Sequence, residues 1–121
     1  MKVIVRITKT FKIAVKPLMK KHPSLAADIA KLEDRLIQNP KLGTPLGNNT
    51  YKIRLQIKSK GKGKSGGARV ISFLETEVLG NINYAEEEIT VNLVTIYDKN
   101  EVVSISGTEL KTLINSIVKG G

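Results

Sequence analysis

Cysteine is absent from the 121 residues. That excludes disulfide stapling, thiolate metal sites, cysteine nucleophiles and iron–sulfur clusters. Tryptophan is absent too, and aromatics make up only 4%, too few for a protein that grips bases mainly on aromatic platforms. There is one histidine, His22. With one histidine and no cysteine, a zinc site would have to lean on carboxylates, so no metal and no cofactor are expected. A Ser-His-Asp triad would have to use His22, which stands between Lys21 and Pro23 in an expected turn between helices. It reads as a plain surface residue, since a site needs several converging groups. No stretch approaches the roughly 20 apolar residues of a membrane span. Basic residues are spread through the first 16 positions rather than confined ahead of an apolar block, so no export signal is read and a cytoplasmic location without a membrane partner is expected. What remains is one domain, 1–121, with 40% hydrophobic residues to form its core.

Acidic residues are scarce: 11 against 20 Lys and Arg, a net charge of +9. Lys2 to Lys21 holds seven bases, and no acid appears before Asp28. Lys41 to Leu74 holds eight bases and no acid, whereas Glu75 to Glu109 holds eight acids and a single base, Lys99. A central basic block of this kind attracts polyanions and releases their counterions on contact, which favours nucleic acid over a merely solvated surface.

Residues 2–7 are β-branched and alternating, a first strand. Apolar residues at 11, 15 and 18 predict a helix over 11–19 with Thr10 as N-cap, and Pro17 predicts a kink or break in it. Ser24 is expected to cap a second helix, on which Leu25, Ile29, Leu32 and Leu36 line one face until Asn39-Pro40. Residues 40–50 hold two Pro and two Gly and read as a turn-rich loop. From Tyr51 to Lys58 apolar and basic or polar residues alternate, a strand with Lys52, Arg54, Gln56 and Lys58 on the face away from the core. A Gly- and Lys-rich loop joins it to a strand at 69–75. Residues 76–88 read as a connection, and 89–97 as a well-buried strand. Ser106 and Glu109 form a capping box ahead of an amphipathic helix from Leu110 to Val118. The order β-α-α-β-β-β-α predicts an α+β fold: a small, mostly antiparallel sheet with two N-terminal helices on one face and a C-terminal helix.

Four groups of residues invite chemistry. In the loop, Lys58, Lys60, Lys62 and Lys64 are mobile point charges, and Gly61 and Gly63 allow a phosphate backbone to come close. It is not a P-loop, which would need glycine where Lys58 stands. Arg54 and Arg69 can each hold a phosphate in a bidentate fork, or can pair with Glu75, Glu77 or Glu86–Glu88 to fasten the sheet. Tyr97, Asp98 and Lys99 close the strongest strand. Tyr97 and Lys99 can stack, donate a proton or stabilise developing charge, or Asp98-Lys99-Asn100-Glu101 is a simple exposed turn. Glu86–Glu88 is a poor chelate, because consecutive strand residues alternate faces.

Pro23-Ser24-Leu25, Asn39-Pro40…Gly43…Leu46-Gly47, Tyr51-Lys52-Ile53-Arg54, the run Lys58–Ile71 and Ile96-Tyr97-Asp98-Lys99 together resemble the RelE/ParE toxin superfamily. The resemblance covers nearly the whole chain, and its most specific part is Lys58–Ile71 followed by Tyr-Asp-Lys. It implies the toxin of a bacterial type II toxin–antitoxin module, a RelE-like mRNA interferase that inhibits translation. Such a toxin is a ribosome-dependent, metal-independent endoribonuclease in which the RNA 2′-hydroxyl attacks the adjacent phosphate. The partners implied are mRNA on the ribosome and a cognate acidic antitoxin. Arg54 and Arg69 correspond to the family's paired strand arginines, Lys60, Lys62 and Lys64 loosely to its basic loop, and Lys99 to its final strand-end base. The His pair of some relatives has no counterpart, and the C-terminal Tyr of others is replaced by Val102-Val103-Ser104-Ile105. Tyr97 substitutes for that tyrosine only if it faces the same cleft. A lysine among like charges is a better base, so Lys52 or a loop lysine is a candidate. The superfamily also holds DNA gyrase inhibitors that cut nothing. A ParE-like inhibitor is the alternative, and a non-catalytic RNA-binding module is a third.

Overall fold

The computed structural model describes residues 2–60, 67–81, 84–98 and 106–118. The fold is α+β. Strand β1 (Lys2–Ile7) leads to helices α1 (Lys9–Lys21) and α2 (Leu25–Gln38), and then to β2 (Thr44–Gly47), β3 (Thr50–Gln56), β4 (Gly67–Asn81), β5 (Tyr84–Asp98) and helix α3 (Gly107–Val118). The strands form one five-stranded sheet in the order β1-β5-β4-β3-β2, with β1 parallel to β5 and the rest antiparallel.

Two clusters of buried side chains hold the layers together. On one face Phe11, Val15 and Leu18 of α1 and Leu25, Ile29, Leu32 and Leu36 of α2 pack against Ile53, Leu55, Val70, Val91 and Leu93. Each such side chain contributes about 1.5–3 kcal/mol when fully buried. On the other face Ile117 of α3 meets Ile71 and Val94, with Phe73, Tyr97, Leu110 and Leu113 at its margin. Val94 reaches this second cluster through a β-bulge: Ile71 pairs with Thr95 and Ser72 with Leu93, so Val94 is the extra residue. The helices therefore lie on both faces, two on one and one on the other.

Several expectations are corrected. Helix α1 is unbroken through Pro17. Pro17 is exposed, and Ile13, whose carbonyl loses its donor, is 64% exposed, so water can satisfy the freed group. The N-cap is Thr8, not Thr10: its hydroxyl accepts from the Phe11 N–H and donates to the Leu93 carbonyl, tying α1 to β5. Ser24 makes no cap bond with its side chain; its hydroxyl donates to Asp28 instead. The turn-rich loop contains β2, because Asn48 and Asn49 both adopt positive φ and close a two-residue hairpin onto β3. The connection at 76–88 is a long β4–β5 hairpin, paired out to Asn81 and Tyr84. The capping box stands: the Ser106 hydroxyl accepts from the Glu109 N–H and donates to its carboxylate.

Candidate nucleic-acid interface

Strands β3, β4 and β5 place Arg54, Arg69 and Tyr97 directly opposite one another on the α3 face. Side chains so paired have Cβ atoms about 5 Å apart. Two residues along β3, Lys52 lies opposite Ile71 on the same face. Like charges directly opposite on a sheet destabilise it unless something compensates. Here Glu75 does not compensate, since it accepts from Asn92 at 2.8 Å. It lies six residues from Arg69 along β4, about 20 Å at strand rise. Among the described residues neither Arg54 nor Arg69 makes an ion pair. The sheet-fastening role open to these arginines is thus not taken.

Arg54 is exposed, while Lys52, Arg69 and Tyr97 are half-buried. Tyr97 packs at the margin of the α3 cluster, and burial pushes its pKa above the usual 10, with the Arg69 guanidinium opposing in part. Tyr97 therefore keeps its proton at neutral pH and offers a hydrogen-bond donor next to a guanidinium.

Lys52, Arg54 and Arg69 also line a concavity of about 440 Å³ at the edge of β3. Two further residues shape it. Arg35 enters from the last turn of α2. Gly43 holds φ at +106°, and a Cβ there would lie 2.6 Å from the Lys52 carbonyl oxygen, so only glycine lets this loop lie against β3. Sequence reasoning missed Arg35, which reads as an ordinary helical cation. Its signal was faint: it follows Leu32 by three residues on a helix that had to cross the sheet.

Lys58 is exposed at the start of a 3₁₀ turn, Lys58–Lys60. That turn is pinned to α2: the Lys58 N–H donates to Asp28 at 3.1 Å, and the Ser59 N–H to the Ser24 hydroxyl at 2.8 Å. Asp28 is buried and accepts from the Lys58 N–H and the Ser24 hydroxyl, so this turn is tied to α2. Of the other expected residues, the side chain of Lys60 and all of Lys62, Lys64 and Lys99 lie outside the described residues.

His22 is not a plain surface residue. It is half-buried, with Nε2 3.8 Å from the Asp98 carboxylate, at the junction of α1 and the end of β5. Asp98 is buried, so the exposed-turn alternative fails at its first residue. Among the described residues no group of three or more His, Asp or Glu could hold a metal, and no helix is long and apolar enough to cross a membrane.

No family model matches the chain, and no solved structure is a significant match to it.

Proposed function

We propose that this chain is the toxin of a bacterial type II toxin–antitoxin module, acting in the cytoplasm as a ribosome-dependent, metal-independent endoribonuclease on mRNA. The observation that carries this reading is the ladder Arg54–Arg69–Tyr97: two uncompensated guanidiniums beside a protonated phenol on one sheet face. Cleavage by the RNA itself needs those parts. The 2′-oxygen bonds to the adjacent phosphorus as the bond to the 5′-oxygen breaks, leaving a cyclic phosphate and a 5′-hydroxyl. Negative charge builds on the non-bridging oxygens, where Arg54 and Arg69 stabilise it. The departing 5′-oxygen needs a proton, and Tyr97 has one to give. Lys52, on the same face, or Lys99 takes the 2′-hydroxyl proton when its side chain is the free amine. Lys58, Lys60, Lys62 and Lys64 hold flanking phosphates. Such a face calls for an acidic partner to silence it, the cognate antitoxin, with binding that weakens as salt rises.

The test is induction in a bacterium with uptake of labelled methionine and thymidine followed in parallel. Arrest of protein synthesis first is expected. Loss of DNA synthesis first would replace the nuclease with a gyrase inhibitor.

A further inference from the structure

A second concavity, about 350 Å³, lies on the other side of Arg35 and is lined by Lys31, Arg35, Gln56 and Lys58. Arg35 is common to both. The two are therefore halves of one trough along the outer edge of β3. Among the described residues that edge is open, because β2 pairs with β3 only as far as Thr44 opposite Lys52, leaving Ile53–Gln56 without a strand on that side. Its two halves are lined by Lys52, Arg54 and Arg69 on one side of Arg35, and by Lys31 and Lys58 on the other. Among its described lining residues the one acid, Asp28, is buried and engaged by the Lys58 N–H and the Ser24 hydroxyl. Lys31, Arg35 and Lys58 are exposed.

We infer that this trough is a track for single-stranded RNA: the strand leaves the Arg54–Arg69 ladder, passes over Arg35 and Lys31, and runs on to Lys58. Six cations with leucine and isoleucine walls, and no aromatic among the described lining residues, suit a phosphate backbone read without regard to base. An acidic peptide added as a strand to the free edge would meet the same charges. RNA is favoured because the track is continuous with the Arg54–Arg69 ladder, through the concavity that both arginines line. Lys31 and Arg35 are positioning residues, since they touch flanking phosphates and not the reacting atoms. The inference rests on the reading of this face as an RNA-processing surface.

The test uses the full chain and a mixed-sequence single-stranded RNA, with affinity measured by fluorescence anisotropy over a salt series. A Lys31→Ala/Arg35→Ala variant should bind about 3- to 20-fold more weakly. Its log–log salt slope should be shallower by about 1.4, or about 0.7 per lost phosphate contact. A Lys31→Arg/Arg35→Lys variant, which keeps both charges, should bind like the parent chain and so separates lost charge from lost fold. Unchanged affinity and slope in the alanine variant would overturn the track. So would unchanged RNA binding with loss of binding to a poly-glutamate probe, which would mark the trough as a protein-docking edge. If the alanine variant loses RNA affinity while the parent chain fails to arrest translation, the track stands and the nuclease reading falls. If the parent chain arrests translation while the alanine variant binds RNA unaltered, the nuclease reading stands and the track falls.

Discussion

One face of the sheet carries opposite charges at its two ends. At one end Lys52, Arg54 and Arg69 gather where β3, β4, α2 and the Gly43 loop converge on a concavity. At the other, the β4–β5 hairpin extends beyond the rest of the sheet with Glu75, Glu77, Glu86 and Glu88 on the same face by period-two alternation. Both ends set like charges side by side: Arg54 opposite Arg69, and Glu77 opposite Glu88. The difference lies in the surroundings. The hairpin residues are almost all exposed, so water screens their repulsion. Their charges also guard two bare strand edges against pairing with another chain. The arginines sit beside half-buried groups in a recess, where repulsion is felt more strongly and a bound anion relieves it. Like charge on open strands keeps a protein apart from others; like charge in a recess invites a ligand.

The largest expected effect breaks the basic end. Arg69→Ala should lower message cleavage by about 100- to 1,000-fold, the usual loss for one oriented donor to a developing anion, while ribosome pelleting stays largely intact. Primer extension on a ribosome-bound message measures the loss, and full cleavage by a folded variant would remove Arg69 from the site. Gly43→Ala attacks the recess without touching a charge. A positive φ costs an ordinary residue about 1–2 kcal/mol, and the close approach to the Lys52 carbonyl adds to it. A denaturant titration should show a loss of roughly 2 kcal/mol or more.

Lys58→Ala should leave the cleavage rate on saturating message unaltered and lower the RNA salt slope by about 0.7, as for one phosphate contact. Tyr97→Phe sharpens the comparison by pH. Because the folded state holds the Tyr97 proton more tightly than the unfolded chain, its contribution to stability is present below pH 10 and fades as pH rises through the raised value. The parent chain should therefore lose stability relative to Tyr97→Phe only on the alkaline side, a difference that denaturant midpoints across pH would reveal. Equal alkaline limbs would place the phenol in ordinary solvent. The smallest effect is at the acidic end. Glu77→Lys, opposite Glu88, should stabilise by roughly 0.2–1 kcal/mol and leave cleavage unaltered. A fall in cleavage would show that the two ends of the face act together.

The regular elements were legible where burial and periodicity agree. The helix that buries Leu25, Ile29, Leu32 and Leu36 and the strand from Tyr51 are marked by their spacing, and α3 is marked by the Ser106–Glu109 cap. Strand β2 was hidden because its four residues are all exposed and carry no alternation. Its only signal was Asn48-Asn49, two residues tolerant of positive φ. The hairpin was hidden for a similar reason: Glu75 to Asn81 are exposed on both faces, so no core selects one set of side chains. At the site, the alternation of Lys52 and Arg54 with Ile53 and Leu55 was enough to place two cations on one face.

Local sequence thus determined charge, strand phase and helix faces, because these depend on residues a few positions apart. Which cations stand together depended on pairing between distant segments. The register that sets Arg54 against Arg69 and Arg69 against Tyr97 joins three strands, and Arg35 joins them from a helix whose place is set by the buried leucines on its other side. Packing and strand register are properties of the whole chain, and they alone turned scattered basic residues into a recess.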